Sequence, residues 1–209
     1  MQSADWYFDF ISPFSYLQFE SLHQLPRDLD ITFRPVLFAG ILNHLQQRGP
    51  AEIPAKRRFT YRHVQWLAKH HGIPLKFPPA HPFNPIRALR LAIALESRRE
   101  PIATIFRFIW RDGRSTDTPA DWRALTAALT VSNADQLIAG KLVKDELRAN
   151  GERAITQGVF GVPTFAIDGE LFWGLDATGM VADYLKDPHW FKSSEVARID
   201  NLPASASRT

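Results

Sequence analysis

The sequence predicts an α/β fold split by a large all-helical insertion, and three observations carry that expectation. A strand–helix–strand pattern runs from Asp5 to Phe38, a helical block fills the middle, and two short strand patterns with a last helix run from Pro163 to Leu185. The order is β-α-β, helices, β-β-α. A strand–helix–strand unit favours parallel pairing, because a parallel partner needs a crossover and a hairpin cannot supply one. The expected division is a core from residues 1–45 and 155–192, an inserted helical domain over 46–154, and a polar tail over 193–209 that reads as poorly ordered.

Asp5 to Phe10 reads as the first strand, since Trp6, Tyr7, Phe8 and Phe10 are aromatic and favour extended backbone. Ser12 then suits a helix N-cap and Pro13 the first helical position, where a fixed φ is already helical and a missing N–H costs nothing. Phe14, Leu17, Leu22 and Leu25 fall near one helical face, and Pro26 stops the run. A second strand fits Asp30 to Phe38, with a loose alternation because Val36 and Phe38 are apolar on the face opposite Ile31, Phe33 and Leu37.

Phe59 to His71 is amphipathic and ends at Gly72-Ile73-Pro74, before a loop holding Pro78, Pro79, Pro82 and Pro85. Pro85 to Ser97 is apolar on two sides, which predicts a sandwiched helix. Ile102, Ile105, Phe106 and Ile109 keep helical spacing. Thr118-Pro119-Ala120-Asp121 has the chemistry of a helix start, and Trp122, Leu125 and Leu129 supply its buried face. Asp135 opens a further helix through Leu147, which Gly151 to Gly158 either continues or ends. Pro163 to Asp168 is a strand, Asp168-Gly169 a hairpin turn and Leu171 to Trp173 the returning strand. Asp176 is expected to cap the final helix, which carries Met180, Val181 and Leu185.

Composition narrows the chemistry. The chain has 209 residues and no cysteine, so its own side chains supply neither disulfide exchange nor thiolate-held metal. A chain of this length buries roughly 70% of its unfolded surface and needs no staples. With 25 basic and 22 acidic residues, net charge is only +3, and the densest basic cluster is Lys56-Arg57-Arg58 with Arg62. That is too little for nucleic acid to be expected as a partner. No stretch suits a secretory leader or a membrane span, so a cytoplasmic protein is expected. The seven histidines lack ligand spacing, and no metal site is expected.

The strand-to-helix junction FDFISPFSYL, Phe8 to Leu17, is where thioredoxin-like proteins carry two cysteines separated by two residues; here Ser12 and Ser15 stand instead. Together with GVPTF at Gly161–Phe165, FWGLD at Phe172–Asp176 and GIPLKFP at Gly72–Pro78, this junction resembles the kappa-class glutathione transferases and 2-hydroxychromene-2-carboxylate isomerases, thioredoxin-fold proteins of the bacterial disulfide-oxidoreductase type. The resemblance spans about Trp6 to Leu185. It implies that the sulfur comes from outside, as the thiol of a glutathione cofactor.

The resemblance assigns Ser12 to the catalytic hydrogen bond with the glutathione thiolate, beyond its plain reading as an N-cap. Ser15 reads as an ordinary helix residue. Val162, before a cis Pro163, would pair its backbone with the cysteinyl unit. Asp176 would pair with the γ-glutamyl ammonium, with backbone N–H groups beside it holding the carboxylate; Leu175 stands where kappa enzymes often carry serine. Lys56 would meet the glycyl carboxylate or simply be solvated. Gln47 stands nearest the place of a family asparagine. His81, Asn84 and Arg87 could orient an anionic second substrate, and Trp110 with Phe83 could wall an aromatic pocket, although a proline-braced loop, a helix cap and core packing explain the same residues.

The activity implied is a glutathione-dependent isomerase interconverting 2-hydroxychromene-2-carboxylate and trans-o-hydroxybenzylidenepyruvate in aromatic catabolism. Its alternatives are a kappa-like transferase acting on small electrophiles and a non-catalytic glutathione- or peptide-binding module. The family is usually homodimeric.

Overall fold

The computed structural model describes residues 2–203. Strand β1, Ser3–Phe8, runs parallel to β2, Asp30–Pro35, with Trp6 opposite Phe33. On its other side β1 meets β3, Thr164–Ile167, antiparallel, with Trp6 opposite Phe165; β3 returns through a tight hairpin to β4, Glu170–Trp173. The sheet order is β2-β1-β3-β4. Asp168 and Gly169 both have positive φ, the geometry a two-residue hairpin demands.

Helix α1, Pro13–Ser21, crosses between β1 and β2. Between β2 and β3 lie α2 (Phe38–His44), α3 (Pro54–His70), α4 (Ile86–Ala94), α5 (Arg99–Phe106), α6 (Pro119–Ala128), α7 (Ala134–Ala139) and α8 (Lys141–Thr156). Helices α9, Thr178–Lys186, and α10, Ser194–Asp200, follow β4. No helix among the described residues is long and apolar enough to cross a membrane.

Alternation along the strands sends aromatic rings to one side of the sheet. Trp6 stacks on Phe8 at 4.7 Å, and Phe8, Phe10 and Phe19 close around Phe106 of α5. Such rings bury large apolar areas and dominate the core. The opposite face carries Tyr7 and packs on Val36, Ile41, Ala154, Val159 and Val162, under α2 and α8.

Several sequence expectations shift. The first strand ends at Phe8 rather than Phe10, and the second ends at Pro35 rather than Phe38. Val36 N–H still bonds Phe8 O at 2.9 Å, but Phe38 opens α2, a helix that the sequence does not announce. The loose alternation there reflects Val36 serving the second core. Helix α3 starts at Pro54 rather than Phe59, and α4 is shorter than expected, Ile86–Ala94. The helix expected from Asp135 to Leu147 breaks at Gly140, whose ψ of 142 is extended, so α7 and α8 are separate. Asp176 does not cap the last helix. Ala177 occupies that place without a side-chain bond, and Thr178 Oγ1 instead donates to Leu175 O at 2.6 Å. Within the tail expected to be poorly ordered, Ser193 caps α10; residues 204–209 lie outside the described residues.

One buried amide ties three elements together. Gln18 of α1 accepts from Trp6 Nε1 at 2.7 Å and donates to Gly174 O at 2.8 Å and Thr178 Oγ1 at 3.0 Å. Its side chain is fully enclosed, so these bonds cannot be replaced by water. Gln18→Leu should lower the unfolding free energy by about 2–4 kcal/mol, because a buried indole N–H and a carbonyl lose their partners. Urea denaturation of both proteins measures this, and an unchanged midpoint would contradict it.

Candidate active site

The site begins where β1 turns into α1. Ser12 is the N-cap, with extended backbone, and its Oγ accepts from Ser15 N–H at 3.2 Å. The same hydroxyl donates to Val162 O at 3.4 Å, a long bond. Ser12 is 7% exposed. It sits at the positive end of α1, where the helix dipole and the Phe14 N–H, without a partner among the described residues, favour an anion.

Val162–Pro163 is a cis peptide, and the Val162 N–H has no hydrogen-bond partner among the described residues. Pro163 O accepts from Gly174 N–H at 2.8 Å, which draws the β4–α9 connection beside the turn. Gly174 has φ +95, and a Cβ there would strike Asp176 Oδ1 at 2.5 Å, so the Asp176 carboxylate folds over a glycine that has no substitute. The Leu175 carbonyl is taken by Thr178. Backbone N–H groups of Leu175, Asp176 and Ala177 at the start of α9 have no partner among the described residues. Ser12, Val162, Pro163, Leu175 and Asp176 thus form one continuous neighbourhood, with Gln18 bridging α1 to Gly174 and Thr178 from beneath.

Asp9, Phe10 and Ile11, ahead of Ser12, are held by side chains. Asp9 is fully buried; its Oδ1 accepts from Ile11 N–H at 3.0 Å and its Oδ2 from Phe38 N–H at 2.9 Å. The second bond caps the start of α2 from another element, since its own N-cap, Leu37, has no side-chain acceptor. Burial raises the Asp9 pKa to about 7, against the opposing pull of the Phe38, Ile11 and Phe10 N–H groups. Trp110 Nε1 donates to Phe10 O at 2.8 Å, and His81 Nε2 bonds Ile11 O at 2.8 Å. Trp110 lies in a π-helical turn, Arg107–Arg111, that continues α5.

The remaining sequence candidates disperse. Trp110 is 0% exposed, so it cannot wall a pocket for a substrate; it is core with its one polar atom spent on the turn. His81 has both ring nitrogens engaged, Nδ1 with Tyr61 OH at 2.7 Å. Asn84, one residue before the N-cap Pro85, accepts through Oδ1 from the first N–H of α4, Ile86, at 3.0 Å. Arg87 pairs with Asp135 at 2.8 Å and lies 4.0 Å over the Trp122 ring, at the junction of α4, α6 and α7. Phe83 packs against His81 and Trp110. Lys56 is exposed in the first turn of α3, and Gln47 is exposed after α2. The Ser15 hydroxyl is buried without a partner among the described residues.

Sequence reasoning missed Asp9, Gln18 and Tyr61. An acid closing a strand of aromatics was the available signal for Asp9; nothing local marks the other two. Among the described residues no cluster of His, Asp and Glu could hold a metal ion.

The fold and this turn define a thioredoxin-type scaffold in which hydroxyls replace the redox sulfurs. The chain belongs to the DSBA-like thioredoxin domain family, which it matches over residues 4–186. It is 29% identical over 205 residues to glutathione S-transferase kappa 2 of Caenorhabditis elegans, covering 88% of this chain and 91% of that protein. It is 27% identical over 185 residues to 2-hydroxychromene-2-carboxylate isomerase of Pseudomonas putida, covering 85% and 91%. A solved 2-hydroxychromene-2-carboxylate isomerase superposes with a TM-score of 0.76 at 23% identity, covering 93% of this chain and 98% of that one.

Asp9 makes stability depend on pH. Its folded pKa, about 7, lies above the ordinary carboxylate value of 3.8, so between these values the folded protein holds a proton that the unfolded chain has released. Its contribution to stability is therefore greatest below about pH 4 and declines up to about pH 7, by at most about 1.4 kcal/mol per pH unit. The unfolding free energy of wild type minus that of Asp9→Asn should fall across that window and level off above it. A flat difference would show that Asp9 titrates as an ordinary carboxylate.

Proposed function

We propose that this protein is a glutathione-dependent isomerase of the 2-hydroxychromene-2-carboxylate type. The observation that carries the reading is the Ser12 hydroxyl, held at the start of α1 in a chain without cysteine, its oxygen accepting from Ser15 N–H and its proton committed to nothing stronger than a 3.4 Å bond to Val162 O. A hydroxyl so weakly engaged turns toward an incoming sulfur at little cost, and a charge-assisted bond is the stronger one. Serine holds that sulfur without forming a mixed disulfide.

The protein groups present fit the tripeptide. Val162 offers a free N–H beside the cis proline, as an added strand requires. The N–H groups of Leu175, Asp176 and Ala177 suit a carboxylate, and the Asp176 side chain suits the ammonium of the same γ-glutamyl unit. Lys56 is our assignment for the glycyl carboxylate. The chemistry glutathione supplies when bound is reversible addition of its thiolate to a conjugated carbon, which frees a double bond to rotate before the thiolate departs. Ser12 and the α1 N-terminus keep the sulfur anionic before addition and after release, which is what an activated nucleophile requires. Asn84 and Arg87 have partners of their own, so we place no substrate contact on them.

A kappa-type transferase is the second reading, because relatives of comparable identity carry both names. Mass balance separates the two: the isomerase turns over substrate with no loss of free glutathione, whereas a transferase consumes one glutathione per product. The assembly that goes with either reading is a homodimer in the cytoplasm.

Ser12→Ala should lower kcat by roughly 10- to 100-fold, the worth of one hydrogen bond to a charged group, while the glutathione Kd from calorimetry changes little. Equal loss in both, or no loss, would remove Ser12 from the chemistry. Absence of any glutathione binding to wild type would overturn the reading itself.

A further inference from the structure

The turn ahead of Ser12 contains two peptide units, and both are held at both ends. In the Phe10–Ile11 unit the carbonyl accepts from Trp110 Nε1 at 2.8 Å and the N–H donates to Asp9 Oδ1 at 3.0 Å. In the Ile11–Ser12 unit the N–H donates to Asp9 O at 3.1 Å and the carbonyl meets His81 Nε2 at 2.8 Å. The second unit is covalently joined to the Ser12 α-carbon, so its orientation sets where the hydroxyl starts from.

A carbonyl only accepts, so the 2.8 Å contact requires a proton on Nε2. Burial lowers the His81 pKa, against the opposing pull of the Ile11 carbonyl, and the charge of Arg57 adds to the lowering, so the neutral ring is favoured. A neutral ring with its proton on Nε2 presents a lone pair at Nδ1, and that lone pair needs a donor. Tyr61 OH is there at 2.7 Å, its proton shared with His81 O at 2.8 Å. The ring plane is fixed by aromatic neighbours, with Tyr61, Trp110 and Phe83 centroids at 5.3, 5.5 and 6.1 Å. The Ile11 carbonyl thereby fixes the tautomer, the phenol braces the ring from Nδ1, and the peptide so held aims a hydroxyl.

We infer that His81 is a positioning residue for Ser12, acting through the Ile11–Ser12 peptide, and that Tyr61 braces the ring in the orientation this requires. This role rests on the glutathione reading above. It predicts an effect on ionisation of the bound thiol rather than on capture of the tripeptide, because Pro163 and the connection into α9 are held by Gly174 N–H and Gln18, bonds that do not involve His81.

The experiment titrates the ultraviolet absorbance of the glutathione thiolate against pH with wild type, His81→Phe, His81→Gln and Tyr61→Phe, with Kd measured in parallel. The bound-thiol pKa should rise by about half to one unit in His81→Phe, since small misplacements of a positioned group are costly, with Kd within about threefold. His81→Gln, whose amide N–H can reach the same carbonyl, should stay closer to wild type, and Tyr61→Phe should fall between. A wild-type thiol pKa in His81→Phe, or equal shifts in His81→Phe and His81→Gln, would overturn the positioning role while leaving the glutathione reading standing. If His81→Phe does not fold, Tyr61→Phe decides: a raised thiol pKa supports the role and an unchanged one overturns it. No thiolate signal with wild type would overturn the glutathione reading and this role with it.

Discussion

A carboxylate shut away from water, Asp9, is the constraint on which this architecture turns. It stands at the point where β1 ends, and its two oxygens are shared between the turn leading into α1 and the first N–H of α2. An unpaired charge at such depth would cost several kcal/mol, so the group is tolerated only with its acceptors filled and its proton affinity raised. The same two bonds fix how the chain leaves the sheet after each parallel strand. What looks like a liability of burial is the joint that sets both helices, and with them the location of Ser12.

Around that joint the protein divides its labour between rigid and uncommitted groups. The peptides preceding Ser12 are fully bonded, and Gln18 ties the helix behind it to the β4–α9 connection. The Ser12 hydroxyl proton is held only by a long bond, while the N–H of Val162 and those opening α9 point to no protein acceptor among the described residues. Pre-organised donors with nothing yet to donate to are what an anion-binding site requires, since no reorganisation is needed when the ligand arrives.

Much of this was legible in the residues, and the limits are physical. Ser12-Pro13 announced a cap and a first turn, and Asp168-Gly169 announced a hairpin, because each depends on local backbone chemistry. The alternation that marks a strand cannot show where a strand stops when the next helix also buries its first residues, which is why Phe38 was misplaced. Asp176 has the chemistry of a cap, yet its carboxylate lies over Gly174, whose positive φ sequence does not display. The parts of the site that escaped notice, Asp9 with Phe38, Gln18 with Thr178 and Tyr61 with His81, are all pairings across distance in the chain. Residue type says that a group can bond; only the fold says to what.

The π-helical turn at Arg107–Arg111 carries an evolutionary consequence. Such a turn is equivalent to one residue inserted into an α-helix, and each residue in a helix adds about 100° of rotation. Losing a single residue there would restore a regular helix and swing the Trp110 indole away from the Phe10 carbonyl it now holds. The length of this stretch is therefore constrained as well as its buried residues, and a one-residue deletion there would mark a homologue whose serine turn is built in another way.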